Sequence, residues 1–453
     1  MAQSDASEAL HRLAKAELDR GAADTPEAAL AKLQGYKLHV ALGSPTETGH
    51  AEQIALLTTV ALARRVFLGG VTVSGVPDVP TTARVPVDYK LPSAVEQLGG
   101  RLAAEDGEVC IQIGRSRCAR RRAFHVRPVF RGWCGGVLPI EDDYEHTDAV
   151  MPLSSMLAAA LAVSEAFAFV RDGGVAGCRP VGLSLWSPAS TTDWLSEVGA
   201  PPLTLLPSKL WLLGLGHLGQ AFLWALGLLP YPDPSQLHLV LQDKDRITEA
   251  TESTSVLSDQ TLVGQMKTRA MAAWAERRGF STAIVERWFD GLYRRRDDEP
   301  GIALCGLDNA DGRRVLDQVG FDFIVEAGLG RGYDDFRRMR LHTLPGARPA
   351  AVIWPPRPQS DERDLAPAYQ RMIQRREVDR CGATLLAGKA VGAPFVGAVA
   401  ACLVISEVLR LLHQGPLHHV ADVDLEALDQ RAFVPHATTF DALNPGFVSL
   451  QPL

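Results

Sequence analysis

Short apolar runs alternate along the chain with longer stretches in which apolar residues recur every three to four positions, the pattern of strands alternating with helices. Leu38 to Leu42 reads as a strand, followed by a turn at Gly43–Gly49, an apolar helix over 51–65 and a strand over 66–73. That is the opening of a βαβ unit. Val109 to Ile113 reads as a further strand running into a basic loop, 153–171 as a helix of small apolar residues, and Val181 to Leu185 as a strand. Ahead of these, residues 6–34 are alanine-rich and helical in pattern, an N-terminal arm or hairpin.

The second half repeats the plan. A strand over 209–213 leads through a glycine turn into a helix over 218–228, then a strand over 237–242. Helix 261–277, strand 302–305, helix 310–318, strand 322–326, a long loop, helix 394–413 and strand 420–425 complete it. Such alternation predicts an α/β fold of two tandem Rossmann-like, doubly wound domains. A sequence repeat supports the duplication. Pro152-Leu-Ser-Ser-Met-Leu-Ala-Ala-Ala-Leu-Ala-Val-Ser-Glu165 aligns without a gap on Pro394-Phe-Val-Gly-Ala-Val-Ala-Ala-Cys-Leu-Val-Ile-Ser-Glu407, an offset (394 − 152) of 242. The same offset pairs Gly173 with Gly415 and Val181 with Val423, so more than shared composition is at work.

Composition narrows the class. The chain has 453 residues, 46% hydrophobic and 22% charged, enough for two or three domains with their own cores. A net charge of −7 argues against a nucleic-acid surface, and the basic clusters Arg120 to Arg122 and Arg294 to Arg296 read as solvated faces. The seven cysteines are scattered singly with no C-x-x-C pair, which disfavours a zinc knuckle and suits a reducing cytosol. The start lacks a secretory pattern and no stretch reads as a convincing membrane span, so a cytoplasmic protein with no membrane partner is expected.

The chemistry concentrates in the second half. Gly214, Gly216 and Gly219 form a G-x-G-x-x-G turn between strand and helix, which allows close approach of backbone N–H groups to a phosphate. The second strand ends in Asp243-Lys-Asp245, where a carboxylate can accept hydrogen bonds from ribose hydroxyls. To this point a nicotinamide dinucleotide and ATP are equally suited. Lys267, opening a helix, could meet nucleotide phosphates as a mobile point charge, or be an ordinary exposed lysine. Asp308 ends a strand and could hold Mg²⁺ on a triphosphate, or simply cap the next helix. Cys381 lies at the end of the long loop, where a nucleophile or a buried structural cysteine would both fit.

Taken in order, Gly214-Leu-Gly-His217-Leu-Gly219, Asp243-Lys-Asp245, Gly264-Gln-Met-Lys267, Asp308-Asn309-Ala-Asp-Gly-Arg313, Val325-Glu-Ala-Gly-Leu-Gly330 and the Cys381…Gly397…Glu407 segment resemble the E1/ThiF/MoeB superfamily. These are ATP-dependent activators of ubiquitin-like and sulfur-carrier proteins. The resemblance covers about residues 205–430. It implies an active adenylation domain there, an inactive adenylation-like domain over 36–200, an N-terminal helical arm at 1–35, a cysteine-bearing crossover loop at about 344–393, and a C-terminal tail at 431–453. It further implies ATP and Mg²⁺, with Gly214, Gly216, His217, Gly219, Asp243, Asp245, Lys267, Asp308, Asn309 and Arg313 at the nucleotide and Asp308 on the metal. Cys381 matches the reactive cysteine, with Arg375, Arg376 and Arg380 nearby in sequence to lower its pKa. The implied partners are a β-grasp, ubiquitin-like protein and an E2-like carrier. Stand-alone E1-like proteins of bacterial ubiquitin-like conjugation operons, some of them antiviral, share the paired-domain design. Duplication lets one chain supply the unit that simpler members make by dimerisation; a further homodimer stays open.

The sequence departs from the family pattern in two places. The usual S-N-L-x-R-Q segment, which supplies an Asn and an Arg to the phosphates, here has Thr251 and Thr254, so adenylation is weakened or another arginine substitutes. His217 stands where glycine is common. A non-catalytic scaffold of the same fold, and a nicotinamide-dependent oxidoreductase lacking a recognisable catalytic set, are the competing readings.

Overall fold

A computed structural model describes residues 6–43, 48–104, 107–115, 121–144, 151–190, 194–196, 199–356, 365–375, 378–440 and 443–450. The chain opens with three short helices rather than one long hairpin: α1 (Ala6–Ala9), α2 (Arg12–Asp19) and α3 (Pro26–Gln34). Thr25 ends the linker by accepting the Ala28 N–H at 3.1 Å, and Pro26 starts α3 where its missing N–H costs nothing. The first repeat follows as β1 (Leu38–Leu42), α4 (His50–Ala63), β2 (Val71–Ser74), α5 (Leu91–Gln97), β3 (Gly100–Leu102), β4 (Val109–Ile113), β5 (Phe124–Arg131), β6 (Cys134–Pro139), α6 (Pro152–Asp172) and β7 (Val181–Ser184). Strand β2 is shorter than its apolar run, because residues 66–70 turn out of α4 through Gly70 at φ +115°.

The second repeat comprises β8 (Leu205–Pro207), β9 (Lys209–Leu213), α7 (His217–Leu228), β10 (His238–Gln242), α8 (Glu249–Glu252), α9 (Lys267–Arg277), β11 (Ser281–Val285), β12 (Ile302–Cys305), α10 (Ala310–Arg313), β13 (Phe323–Leu329) and β14 (Arg338–Leu344). Then come α11 (Ala350–Ile353), α12 (Pro367–Gln374), α13 (Arg380–Gly388), α14 (Pro394–Leu412), β15 (His418–Asp424), β16 (Ala432–Pro435) and β17 (Phe447–Ser449). Helix α9 begins at Lys267, six residues later than its pattern suggests, because a separate one-turn 3₁₀ helix occupies Gln260–Leu262.

The two sheets have one topology. The first runs β3-β2-β1-β4-β5-β6-β7 and the second β11-β10-β9-β12-β13-β14-β15-β16, so both place the third, second, first, fourth, fifth, sixth and seventh strands side by side. In each, the first five strands are parallel and the remainder antiparallel. Strands β5, β6 and β14 fall where the sequence reads as loop.

Helices α6 and α14 carry the repeat and pack against each other between the sheets, flanked by α4 and α7. Phe167 and Phe395 meet at 5.6 Å between ring centroids, and the Trp224 indole N–H of α7 donates to Thr58 Oγ1 of α4 at 3.1 Å. The matched acids Glu165 and Glu407 each accept a backbone N–H from the segment leading to the next strand, from Gly177 at 2.8 Å and from His418 at 2.5 Å. Both helices are long and apolar enough to cross a membrane, yet 78% and 89% of their most apolar windows are buried inside the protein.

The segment after 430 is part of the fold rather than a tail. Strand β16 extends the second sheet beside β15, and β17 pairs with β8. The arm is held by charge. Glu17 of α2, almost fully buried, meets Arg20 at 2.5 Å, Lys32 at 2.6 Å and Arg171 at 3.3 Å.

Candidate functional site

The glycine turn leaves β9 at the C-terminal end of the parallel strands. Gly214 has φ +83°, and a Cβ there would lie 3.0 Å from the Gly306 carbonyl oxygen. A Cβ on Gly219 would come within 2.0 Å of the Gly214 carbonyl oxygen, so only glycine lets α7 start this close to the strand. Beside Gly216 the space is open, and the nearest heavy atom to its virtual Cβ is Lys267 Nζ at 4.0 Å. Asp243 fixes the turn: its Oδ2 accepts the Leu215 N–H at 2.7 Å and its Oδ1 the Asp245 N–H at 2.8 Å.

Lys267 is no ordinary surface lysine. It is the first residue of α9, its side chain only 14% exposed, with Nζ 3.4 Å from Asp245 Oδ2 and 3.9 Å from Asp243 Oδ2. A cation at a helix N-terminus is opposed by the helix dipole, and the two carboxylates supply the compensating charge. At the end of β12, Asn309 rather than Asp308 caps the next helix, its Oδ1 accepting the Gly312 N–H at 2.6 Å. The exposed Asp308 carboxylate is therefore not consumed by capping. Arg331 Nη1 donates to the Asp308 carbonyl at 3.5 Å.

Two expected nucleotide contacts face elsewhere. Arg313 Nε lies 2.8 Å from Oε1 of the buried Glu326, whose other oxygen is 3.0 Å from His342 Nδ1. His217 turns its ring toward the start of α14, where a Cβ on Gly397 would meet Nε2 at 2.5 Å and one on Gly392 would meet Nδ1 at 3.6 Å. Burial pushes its pKa down to about 4, against backbone hydrogen bonds at Ala393 and Pro394. Its Nε2 is buried without a partner.

The threonines at the family's Asn and Arg positions serve the backbone. Thr251 Oγ1 accepts the Thr248 N–H at 3.0 Å, closing the capping box of α8, and Thr254 packs its methyl group toward Gly392. Into the same corner comes a residue without any local motif. Arg12, the first residue of α2, donates its backbone N–H to Ser253 Oγ at 3.2 Å, and its Nη1 is buried without a hydrogen-bond partner. Burial draws the guanidinium pKa down, while the negative charges of Asp308 and Glu8 oppose that shift. The only sequence hint of this arginine was the vacancy at Thr254.

Cys381 is the second residue of α13, whose first turn is capped by Asp379 Oδ1 accepting the Gly382 N–H at 2.7 Å. The Cys381 side chain, Arg376 and Arg120 lie outside what the structure describes. Cys305 and Cys402 are buried and inert: burial raises the first thiol to about 12 and the second further. Among the described residues no group of three or more His, Cys, Asp or Glu is placed to hold a metal. A cation here would be held by one carboxylate together with the phosphates it accompanies, as Mg²⁺ commonly is.

Residues 37–185 match a family model described as the BilD N-terminal domain, and residues 206–415 one described as the BilD C-terminal domain. A curated relative, the bacterial E1-like protein BilD of Collimonas sp. (strain OK412), is 44% identical over 415 residues, spanning 90% of this chain and 89% of the relative. Solved structures of E. coli MccB, with a peptide variant or with a nucleotide analogue and peptide bound, cover 69% of this chain and 94% of their own at 13–14% identity and a TM-score of 0.36, too loose a likeness to decide more. With two paired domain matches and a relative aligned over nearly its whole length, this chain belongs to the BilD family of bacterial E1-like proteins.

Proposed function

We propose that this protein adenylates the C-terminal glycine carboxylate of a β-grasp, ubiquitin-like protein with ATP, takes the acyl group onto Cys381 as a thioester, and passes it to an E2-like carrier in the cytoplasm. The observation that carries the reading is Arg12. Its backbone meets Ser253, beside the Thr254 that stands at the family's arginine position, its Nη1 is buried without a partner, and its guanidinium feels the charge of Asp308. A buried guanidinium donor left without a partner suits an anionic ligand.

In this reading the carrier's carboxylate oxygen attacks the α-phosphorus, a P–O bond to pyrophosphate breaks, and an acyl-adenylate forms. Backbone N–H groups at the start of α7, Lys267 and Arg12 stabilise the negative charge that develops on the phosphates. Asp308 is the carboxylate suited to hold Mg²⁺, which when bound would neutralise charge on the leaving pyrophosphate. The Cys381 thiolate then attacks the acyl carbon and AMP leaves. A thiol in the first turn of a helix has a lowered pKa, which favours the attacking form. Gly214, Gly216 and Gly219 shape the turn, Asp243 and Asp245 face the ribose, and Asn309 sets Asp308 by capping α10.

The test is pyrophosphate exchange. Purified protein with its carrier incorporates labelled pyrophosphate into ATP, and a thiol-sensitive adduct forms that Cys381→Ala removes. Exchange absent with every β-grasp protein of the source genome would overturn the reading in favour of a scaffold.

A further inference from the structure

Trp288 stands 57% exposed just beyond the end of β11, and its surroundings hold it in one place. Lys244 Nζ lies 3.3 Å from the centre of its ring and 3.5 Å from Asp245 Oδ1, so the lysine joins the indole to the acidic pair. Gln242 fixes the loop: its Nε2 donates to the carbonyl oxygens of Arg287 and Trp288 at 3.5 and 3.4 Å, while its Oε1 accepts the Trp211 indole N–H at 3.0 Å. Trp288 is thereby tied to the residue that precedes Asp243. A cavity of about 420 Å³ is lined by Arg246, Gly264, Gln265, Met266, Arg269 and Glu286, the last of these two residues before Trp288 in the chain.

In an open α/β sheet a nucleotide lies across the C-terminal ends of the strands, phosphates at the glycine turn and ribose at the acid ending the second strand. The base therefore continues outward, toward the third strand, here β11. One face of the Trp288 ring is capped by Lys244. A flat π-system on its free surface would remove apolar area from water without displacing a hydrogen bond.

We propose that Trp288 is the stacking platform for the nucleobase of ATP, with Lys244 and Gln242 positioning it. This rests on the nucleotide reading given above. Arg246 and Glu286 border the cavity into which the base edge would extend, which makes this corner the determinant of base preference.

Titration calorimetry on the full chain with magnesium separates the outcomes, using ATP and inorganic tripolyphosphate as ligands for the native protein, Trp288→Ala and Trp288→Phe. The expected result is roughly tenfold weaker ATP binding by Trp288→Ala, near-native binding by Trp288→Phe, and unchanged tripolyphosphate binding by both. Native ATP affinity in Trp288→Ala would overturn the proposal. So would an equal loss for ATP and tripolyphosphate, since that marks a disturbed phosphate site. A native protein that binds tripolyphosphate but gains nothing from the nucleoside overturns the base platform alone, whereas one that binds neither ligand overturns the nucleotide reading itself.

Discussion

Arg12 on the N-terminal arm lies close enough to Asp308, at the end of β12, for the carboxylate to oppose the burial-driven fall in the guanidinium pKa. The two residues are nearly 300 positions apart in the chain, and the arm between them is anchored by Glu17 to Arg171 of α6 and by Tyr369 of α12 donating its hydroxyl to Asp19 at 2.6 Å.

Arg12→Ala should lower pyrophosphate exchange by about 100-fold, the scale for losing one preorganised charged donor. Arg12→Lys should recover only part of it, because an ammonium cannot match the planar fork. Exchange kinetics check both. A melting temperature within a few degrees of native would show that the arm still docks through Glu17.

Asp308→Asn should raise the magnesium concentration needed for half-maximal exchange, and Lys267→Ala should weaken ATP binding. Asn309→Ala should act instead on stability, by about 1 kcal/mol, through loss of the α10 cap. Magnesium titrations and thermal melts separate the three.

Gly397→Ala should destabilise by about 1–3 kcal/mol, because the new methyl collides with the buried His217 ring. Combining it with His217→Ala should recover much of the loss, a coupling that a double-mutant thermal cycle reads directly.

Glu165 and Glu407 occupy matched positions but should respond oppositely to neutralisation. Burial raises the Glu165 carboxyl pKa, only partly offset by the Gly177 N–H, so its ionised form is disfavoured in the fold. Stability from this group is greatest at low pH and declines as pH rises from the unfolded toward the folded pKa; Glu165→Gln should stabilise at pH 7. Burial acts the same way on Glu407, but Arg410 and His418 outweigh it and hold the carboxyl low. Its contribution is present above the unfolded pKa and lost as pH falls through the folded one; Glu407→Gln should destabilise by about 3 kcal/mol at pH 7 by leaving Arg410 buried and unpaired. Melts at pH 5 and pH 7 check the sign for Glu165, and melts at pH 7 and pH 3 the sign for Glu407.

Cys381→Ala should abolish a thioester adduct while leaving pyrophosphate exchange intact. Mass spectrometry after brief alkylation at pH 8 should find Cys305 and Cys402 unmodified, their thiols kept protonated by burial.

The parallel cores, the duplication and the strand-to-helix glycine turn are legible along the linear chain. Those signals are local: continuous apolar strands, glycines where the backbone crowds, and a repeat at constant offset. Strands β5, β6 and β14 escaped because their residues carry mixed polarity and are defined by pairing partners rather than by period. Which polar groups point toward the glycine turn and which point away is set by folding. Arg313 and His217 belong to the matched motifs, yet a buried glutamate claims one, and Gly392 ahead of α14 and Gly397 within it make room for the other. Arg12 belongs to no motif and meets Ser253, beside Thr254, because arm docking is fixed by long-range ion pairs. Side-chain direction and charge pairing across such distances depend on which elements pack together, and periodicity along one segment does not encode that.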